Sequence, residues 1–218
     1  MPNKAVIAGA SGLIGSHLLD ILLQSDYYDE VLALVRKELP LSSKKLVQLV
    51  VDFDKLDEYK AAITGHAIFC CLGSTQKKTP DRVVYRKIDH DYPLHLAKIA
   101  KANEIRHYHL VSSIGADPNA SNFYPKLKGE TEEAIKQVGI KCLHIYEPSF
   151  LSGERKESRP KERFALGLMK LIDPLLIGNL KKYRSIPAET VARAMYKQSL
   201  KTEEGLFVHS SDRIKLLA

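Results

Sequence analysis

The chain reads as an α/β protein, a doubly wound parallel sheet with helices on both faces and a small covering segment near its C-terminus. Three observations predict this. An apolar run at residues 5–8 passes straight into Gly9-Ala10-Ser11-Gly12-Leu13-Ile14-Gly15, and the residues that follow as far as Leu23 are apolar at helical spacing. A second apolar run, residues 31–35, comes after a polar link and completes a strand, helix, strand unit. Beyond it, short apolar runs keep alternating with helix-period stretches, as parallel strands joined by crossover helices require.

The later elements follow in order. Strands three to six are predicted at residues 45–51, 67–72, 107–112 and 141–146. Residues 82–102 read as one periodic helix with a bend at Pro93, because an internal proline lacks a donor and clashes with the preceding turn. Residues 126–138 form another helix, stopped by Gly139. Residues 164–172 read as an apolar helix ending near Asp173-Pro174, a further helix begins at Ile186, and residues 206–209 add a final strand. All of this fits one domain of 218 residues, with residues 152–185 as the covering segment over the crevice. Phe164, Leu168 and Met169 would give that segment an apolar inner face, although core packing or a partner-binding face explains the same pattern.

Right-handed crossovers put the C-terminal ends of the strands on one side, and polar residues should collect there. Gly9 permits the tight turn off the first strand, Gly12 lets backbone approach a pyrophosphate, and Gly15 lets the helix pack closely on the strand. The free N–H groups at the start of that helix, around Leu13 and Ile14, face the anion with the positive end of the helix dipole. This is the arrangement of a Rossmann-type dinucleotide site. At the end of the second strand, where an acidic residue would accept from ribose hydroxyls, stand Arg36 and Lys37. A guanidinium grips a phosphate with two parallel hydrogen bonds, so NADP(H) is the expected cofactor, with Ser11 as a second phosphate contact. A solvated basic pair opening a loop is the plainer alternative for Arg36 and Lys37.

Asp52 and Phe53 follow strand three, where a carboxylate accepts from the adenine amino group and an apolar neighbour covers the base. Leu72, Gly73, Ser74 and Thr75 follow strand four, with Gly73 letting backbone pass close to the ribose. Strand five ends in Ser112-Ser113, and Tyr124-Pro125-Lys126-Leu127-Lys128 comes next with a Tyr-x-x-x-Lys spacing. A phenol has an ordinary pKa of about 10 and is a poor acid or base near neutrality unless an ammonium one helical turn away stabilises phenolate. Lys128 is therefore expected to tune Tyr124 and to bond the nicotinamide ribose, while Ser113, favoured over Ser112, holds a substrate carbonyl oxygen. Pro125 biases Tyr124 away from helical geometry, which places Tyr124 just before the helix.

These stretches together resemble the atypical short-chain dehydrogenases, in particular the Tat-interacting tumour-suppressor family of NADPH-binding oxidoreductases. The likeness rests on Gly9-Ala10-Ser11-Gly12 with Gly15, residues 52–57, Cys70-Cys71-Leu72-Gly73-Ser74-Thr75, Ser112-Ser113 with Gly115-Ala116-Asp117, residues 121–124, Lys128-Gly129-Glu130 and Glu157-Ser158-Arg159-Pro160. The Gly-x-x-Gly-x-x-Gly spacing is the form used by that group. The resemblance implies an NADP-type cofactor and Ser, Tyr and Lys at the crevice. Two departures stand out. Asp89-His90-Asp91 occupies the region where many relatives carry a proton-relay Asn, and Glu147-Pro148-Ser149-Phe150 replaces a common Arg-Pro after strand six. Pro148, Phe150 and Leu151 are nonetheless expected to line the nicotinamide.

Composition excludes other classes. The net charge of +7 is spread along the chain without an aromatic platform or recognition helix, so nucleic acid is not an expected partner. Three cysteines, odd in number and set in apolar runs, predict neither disulfide nor zinc, and the eight histidines read as surface or polar packing residues. No apolar run is long enough to span a membrane, and residues 1–4 lack a leader pattern, so a cytoplasmic protein is expected. The expected activity is hydride transfer to or from a small carbonyl or alcohol compound. The rival is a regulatory module that binds NADPH and acts through a protein partner with little turnover.

Overall fold

The computed structural model describes residues 3–152, 173 and 176–218. Seven strands form one parallel sheet: β1 (Lys4–Ala8), β2 (Glu30–Val35), β3 (Leu46–Val50), β4 (Ala67–Cys70), β5 (His107–Val111), β6 (Cys142–Glu147) and β9 (Gly205–Ser210). Their spatial order is β3-β2-β1-β4-β5-β6-β9. The chain winds outward from β1 in one direction, then crosses back to β4 and continues in the other. β1 pairs on both sides, Ala5 lying between Val31 and Ala67. Residues 5–8 are fully buried, which explains their unbroken apolar character.

The alternation of a strand divides the interior in two. Ala5 and Ile7 point to one face, where α1 (Leu13–Gln24) and α5 (Ala188–Ser199) bring Leu18, Leu22, Val191 and Met195 against Phe69 and Tyr28. Val6 and Ala8 point to the other, against Leu32, Leu34, Ile68, Leu96 and Tyr108. Each fully buried aliphatic side chain contributes roughly 1.5–3 kcal/mol relative to exposure.

Several boundaries differ from the sequence expectation for local reasons. β4 stops at Cys70, because Cys71 makes its last ladder bond to Ala8 and the chain beside it turns at Gly9. The long helix does not bend at Pro93: α2 (Arg82–Arg86) runs into a π-turn at Lys87–Asp91 and then into α3 (Tyr92–Ala102), where Pro93 occupies the first turn and its missing donor is harmless. Residues 186 and 187 do not begin a helix. They form β8 (Ile186–Pro187), paired in parallel with β7 (Leu151–Ser152), and α5 starts after them. The final strand is longer than expected and is followed by α6 (Ser211–Leu217). The helix predicted at residues 164–172 and most of the covering segment lie outside the described residues.

Four of the eight histidines are packing residues inside the sheet. His107, His109, His144 and His209 are buried on the strands, aligned by period two with Cys142, Tyr146 and Phe207 on one face of the sheet. Their rings stack: His109 and His144 are 4.8 Å apart at 4°, His144 and Phe207 4.8 Å apart at 17°. Burial, with neighbouring imidazoles adding to it, pulls His107 down to about 4 and His144 to about 3, so the column is neutral.

Candidate functional site

The glycine turn has the geometry its spacing implies. Gly9 sits at φ 87°, and a Cβ there would meet the Cys71 carbonyl oxygen at 2.5 Å. At Gly15 a Cβ would meet the Gly9 oxygen at 2.1 Å, so α1 packs on the turn only because that position is bare. Gly12 is the N-cap of α1 with no side-chain cap and no acidic residue in the first turn. The first N–H groups of α1 therefore have no capping side chain, behind exposed Ser11 and Gly12, at the point where the sheet order reverses between β1 and β4. A buried pyrophosphate-sized anion fits this donor set.

Around it the expected residues divide. Arg36 and Lys37 are exposed just beyond β2. Asp52 is exposed too, with a carboxylate oxygen accepting from the Asp54 N–H at 3.0 Å. Phe53 is turned inward, its ring 5.4 Å from Tyr92, so it supports the edge of the crevice from below. Leu72 is half-buried and Gly73 exposed, while the Ser74 N–H donates to Asp89 at 2.8 Å and the Ser74 and Thr79 hydroxyls meet at 2.5 Å. On the far side Pro148 is buried, its carbonyl accepting from the Ile114 N–H at 3.1 Å, and Phe150 is 45% exposed beside half-buried Leu151.

The central feature is a buried ion pair. α4 (Phe123–Lys136) starts three residues earlier than expected, with Pro125 tolerated in its first turn, so Tyr124 and Lys128 lie on the same helix one turn apart. The Lys128 ammonium is 2.9 Å from the Asp89 carboxylate, and both side chains are almost wholly buried. Burial works against the charge on Lys128, but the Asp89 carboxylate outweighs it and holds the ammonium above its ordinary value. The same Nζ lies 5.9 Å from the centre of the Tyr124 ring, which is 40% exposed. Asp89 reaches inward because it sits in the π-turn, where one extra backbone residue re-aims the side chains that follow.

The two serines face different ways. Ser112 is buried and its hydroxyl donates to Glu132, whereas Ser113 is half-buried with only a long 3.4 Å contact to the Ile114 carbonyl. The hydroxyl of Ser112, the second candidate for the substrate oxygen, is thus engaged inside the protein. Burial pushes Glu132 up to about 7. Glu147 is also raised by burial, with Lys136 and Lys182 drawing it back. Beside Tyr124 opens a cavity of about 500 Å3 lined by Ser74, Thr79, Arg82, Tyr85, Phe123 and Tyr124 among others. A second hollow of about 600 Å3 along α3 carries none of the expected site residues.

Sequence reasoning left Glu132 and Tyr85 out. Both had a signal: Glu132 is one turn from Lys128 on the same helix face, and Tyr85 is an aromatic in the helix after strand four, where its hydroxyl donates to the Ser74 carbonyl at 3.0 Å.

Comparison with known proteins adds to this geometry. A family model described as NAD(P)H-binding matches residues 9–147. The rat protein HTATIP2 is 39% identical over 201 residues, covering 89% of this chain and 81% of its own length. Protein fmp52, mitochondrial, of Aspergillus clavatus is 31% identical over 227 residues, covering 100% of this chain and 95% of its own. The Bordetella bronchiseptica enzyme WbmH, solved in complex with NAD+, matches with a TM-score of 0.72 at 17% identity, over 99% of this chain and 78% of that one, a likeness of fold. The cytoplasmic expectation is corrected by the fungal relatives, which are named mitochondrial at 28–31% identity. Among the described residues no helix is long and apolar enough to cross a membrane.

Proposed function

Because the chain belongs to the NAD(P)H-binding family and is 39% identical to HTATIP2, we propose that it is an NADP-dependent oxidoreductase of the atypical short-chain dehydrogenase type acting on a small carbonyl or alcohol compound. The observation that carries this reading is the buried Lys128–Asp89 pair set beside Tyr124 at the mouth of a cavity. A lysine is seldom taken out of water without a task, and here its charge is fixed where a phenol would part with a proton.

The chain's own residues divide the work. The N–H groups at the start of α1 hold the pyrophosphate, and Arg36 with Lys37 takes the 2′-phosphate. Bound there, the nicotinamide would supply or accept the hydride. Tyr124 gives its hydroxyl proton to the carbonyl oxygen as that oxygen gains charge. Lys128 stabilises the phenolate left behind, and Asp89 keeps the ammonium in place from below. Ser113, whose hydroxyl is uncommitted to any strong partner, donates to the same carbonyl oxygen and orients it. The reverse direction runs through the same groups.

Two measurements test this. Calorimetric titration with NADPH and NADH should favour NADPH, and Arg36→Ala should remove most of that preference; equal wild-type affinities would break the phosphate assignment. With a carbonyl panel, Tyr124→Phe should lower kcat by roughly 10²–10⁴-fold, the usual worth of a positioned acid, while NADPH affinity holds. If NADPH binds tightly and Tyr124→Phe changes no turnover, the regulatory reading through a protein partner replaces the catalytic one.

A further inference from the structure

Away from the crevice, at the N-terminal ends of β5 and β6, three donors converge. His107 opens β5, Cys142 opens β6 directly across from it in register, and His144 follows two residues on along the same face. One nitrogen from each imidazole and the Cys142 sulfur all lie within 4.8 Å of one another, and all three residues are buried. The Cys142 sulfur is already 3.2 Å from Nε2 of His144. Both ring nitrogens of His107 are buried with no hydrogen-bond partner, an arrangement that leaves polar atoms desolvated for nothing in the protein itself.

We infer that His107, Cys142 and His144 form a binding site for a zinc-class divalent cation, with water as the fourth ligand. Tetrahedral zinc with nitrogen at about 2.0–2.1 Å and sulfur at about 2.3 Å puts its donors about 3.3–3.6 Å apart, so the donors, now within 4.8 Å of one another, close on an ion by up to about 1.2–1.5 Å. The outer shell suits it. Nδ1 of His144 is 2.9 Å from Nε2 of His209, so donation in that direction leaves Nε2 of His144 with its lone pair toward the ion. The Cys142 thiol releases its proton on binding, as a sulfur ligand must. The Arg106 guanidinium is held off by the Thr202 carbonyl and by Glu204 at 3.6 Å.

The sequence predicts no zinc from its cysteines; here the third ligand comes from a neighbouring strand, and only the register brings it in. The site lies at the opposite end of the sheet from the glycine turn. An ion there ties β5 to β6 and takes no part in hydride transfer.

The test uses the full chain, reduced and stripped with a chelator, titrated with cobalt(II) chloride and followed by absorption. The expected result is a near-ultraviolet thiolate-to-cobalt charge-transfer band that saturates at one ion per chain and is displaced by zinc. Cys142→Ser should abolish the band, and Cys70→Ser and Cys71→Ser should keep it. His107→Gln and His144→Gln should each weaken binding by more than about tenfold, and His209→Gln by about 10–100-fold with the band retained, as for an outer-shell partner. Zinc should raise the Tm of the wild type and leave that of Cys142→Ser unchanged, with far-ultraviolet circular dichroism checking that each variant is folded. No charge-transfer band in the wild type, or a band that survives Cys142→Ser, overturns the proposal and leaves a packed neutral histidine cluster; the wild-type titration needs no variant to fold.

Discussion

Helix α4 buries two ionisable side chains one turn apart and treats them oppositely. Lys128 meets a carboxylate at 2.9 Å and stays charged above its ordinary range. Glu132 meets only the Ser112 hydroxyl, with Glu147 adding repulsion and Lys136 standing 3.9 Å off and closer to Glu133, so it is driven to about 7. Both suffer the same removal from water. What decides the outcome is whether the residue across the gap carries the opposite charge, and at Lys128 that depends on where the π-turn points Asp89.

The comparison breaks most easily at Asp89. Asp89→Asn leaves Lys128 as a buried cation without a counter-ion, and urea unfolding at neutral pH should show a loss of about 3–5 kcal/mol. In the wild type the Lys128 contribution is present below its unfolded value of 10.5 and is lost as pH rises through its higher folded value. A variant as stable as the wild type would mean that the ammonium does not rely on Asp89.

Glu132→Gln is the next largest change and should go the other way. The folded carboxyl binds its proton more tightly than the unfolded one between about 4.5 and about 7, so wild-type stability falls as pH rises through that window. Above it the ionised group destabilises the fold by roughly 2–3 kcal/mol, which the neutral amide removes. Denaturation at a series of pH values should therefore show Glu132→Gln more stable than wild type at pH 8 and flatter across the window. Equal pH profiles would place the ionisation elsewhere.

Ser112→Ala should have the smallest effect, a loss of about 1–2 kcal/mol above the window, where the hydroxyl donates to a charged acceptor. It should also shift the Glu132 transition to higher pH, since the hydroxyl is what draws that value down. Its effect on stability at pH 5, with Glu132 protonated in both proteins, should be smaller. An equal loss at both pH values would mean packing alone.

Much of the fold was legible because its signals are local. Gly9, Gly12 and Gly15 report on backbone clearance within seven residues, and the wholly buried strands announce themselves as unbroken apolar runs. The Tyr124 and Lys128 spacing was equally visible, although Pro125 pointed to a later helix start than the one found. Long-range facts stayed hidden. Whether Asp89 faces Lys128 depends on a single extra residue in a helical turn, and nothing in Asp89-His90-Asp91 reveals it. Phe53 looked like a base-covering residue because its position was right; that its ring turns toward Tyr92 is a matter of packing. His107 and His109 alternate along β5, which places them on a common face, but their stacking with His144 on β6 and His209 on β9 appears only once the register is known.

The π-turn has one more consequence. An added residue advances a helix by about 100°, so what lies before Lys87 and what lies after Asp91 are out of phase with each other. Tyr85 on the leading half looks into the cavity, while Leu96 and Ala100 on the trailing half look into the interior. One rod thereby serves two masters, and excising a residue such as Ile88 would restore regular winding and swing Tyr85 out of the wall of the cavity it lines.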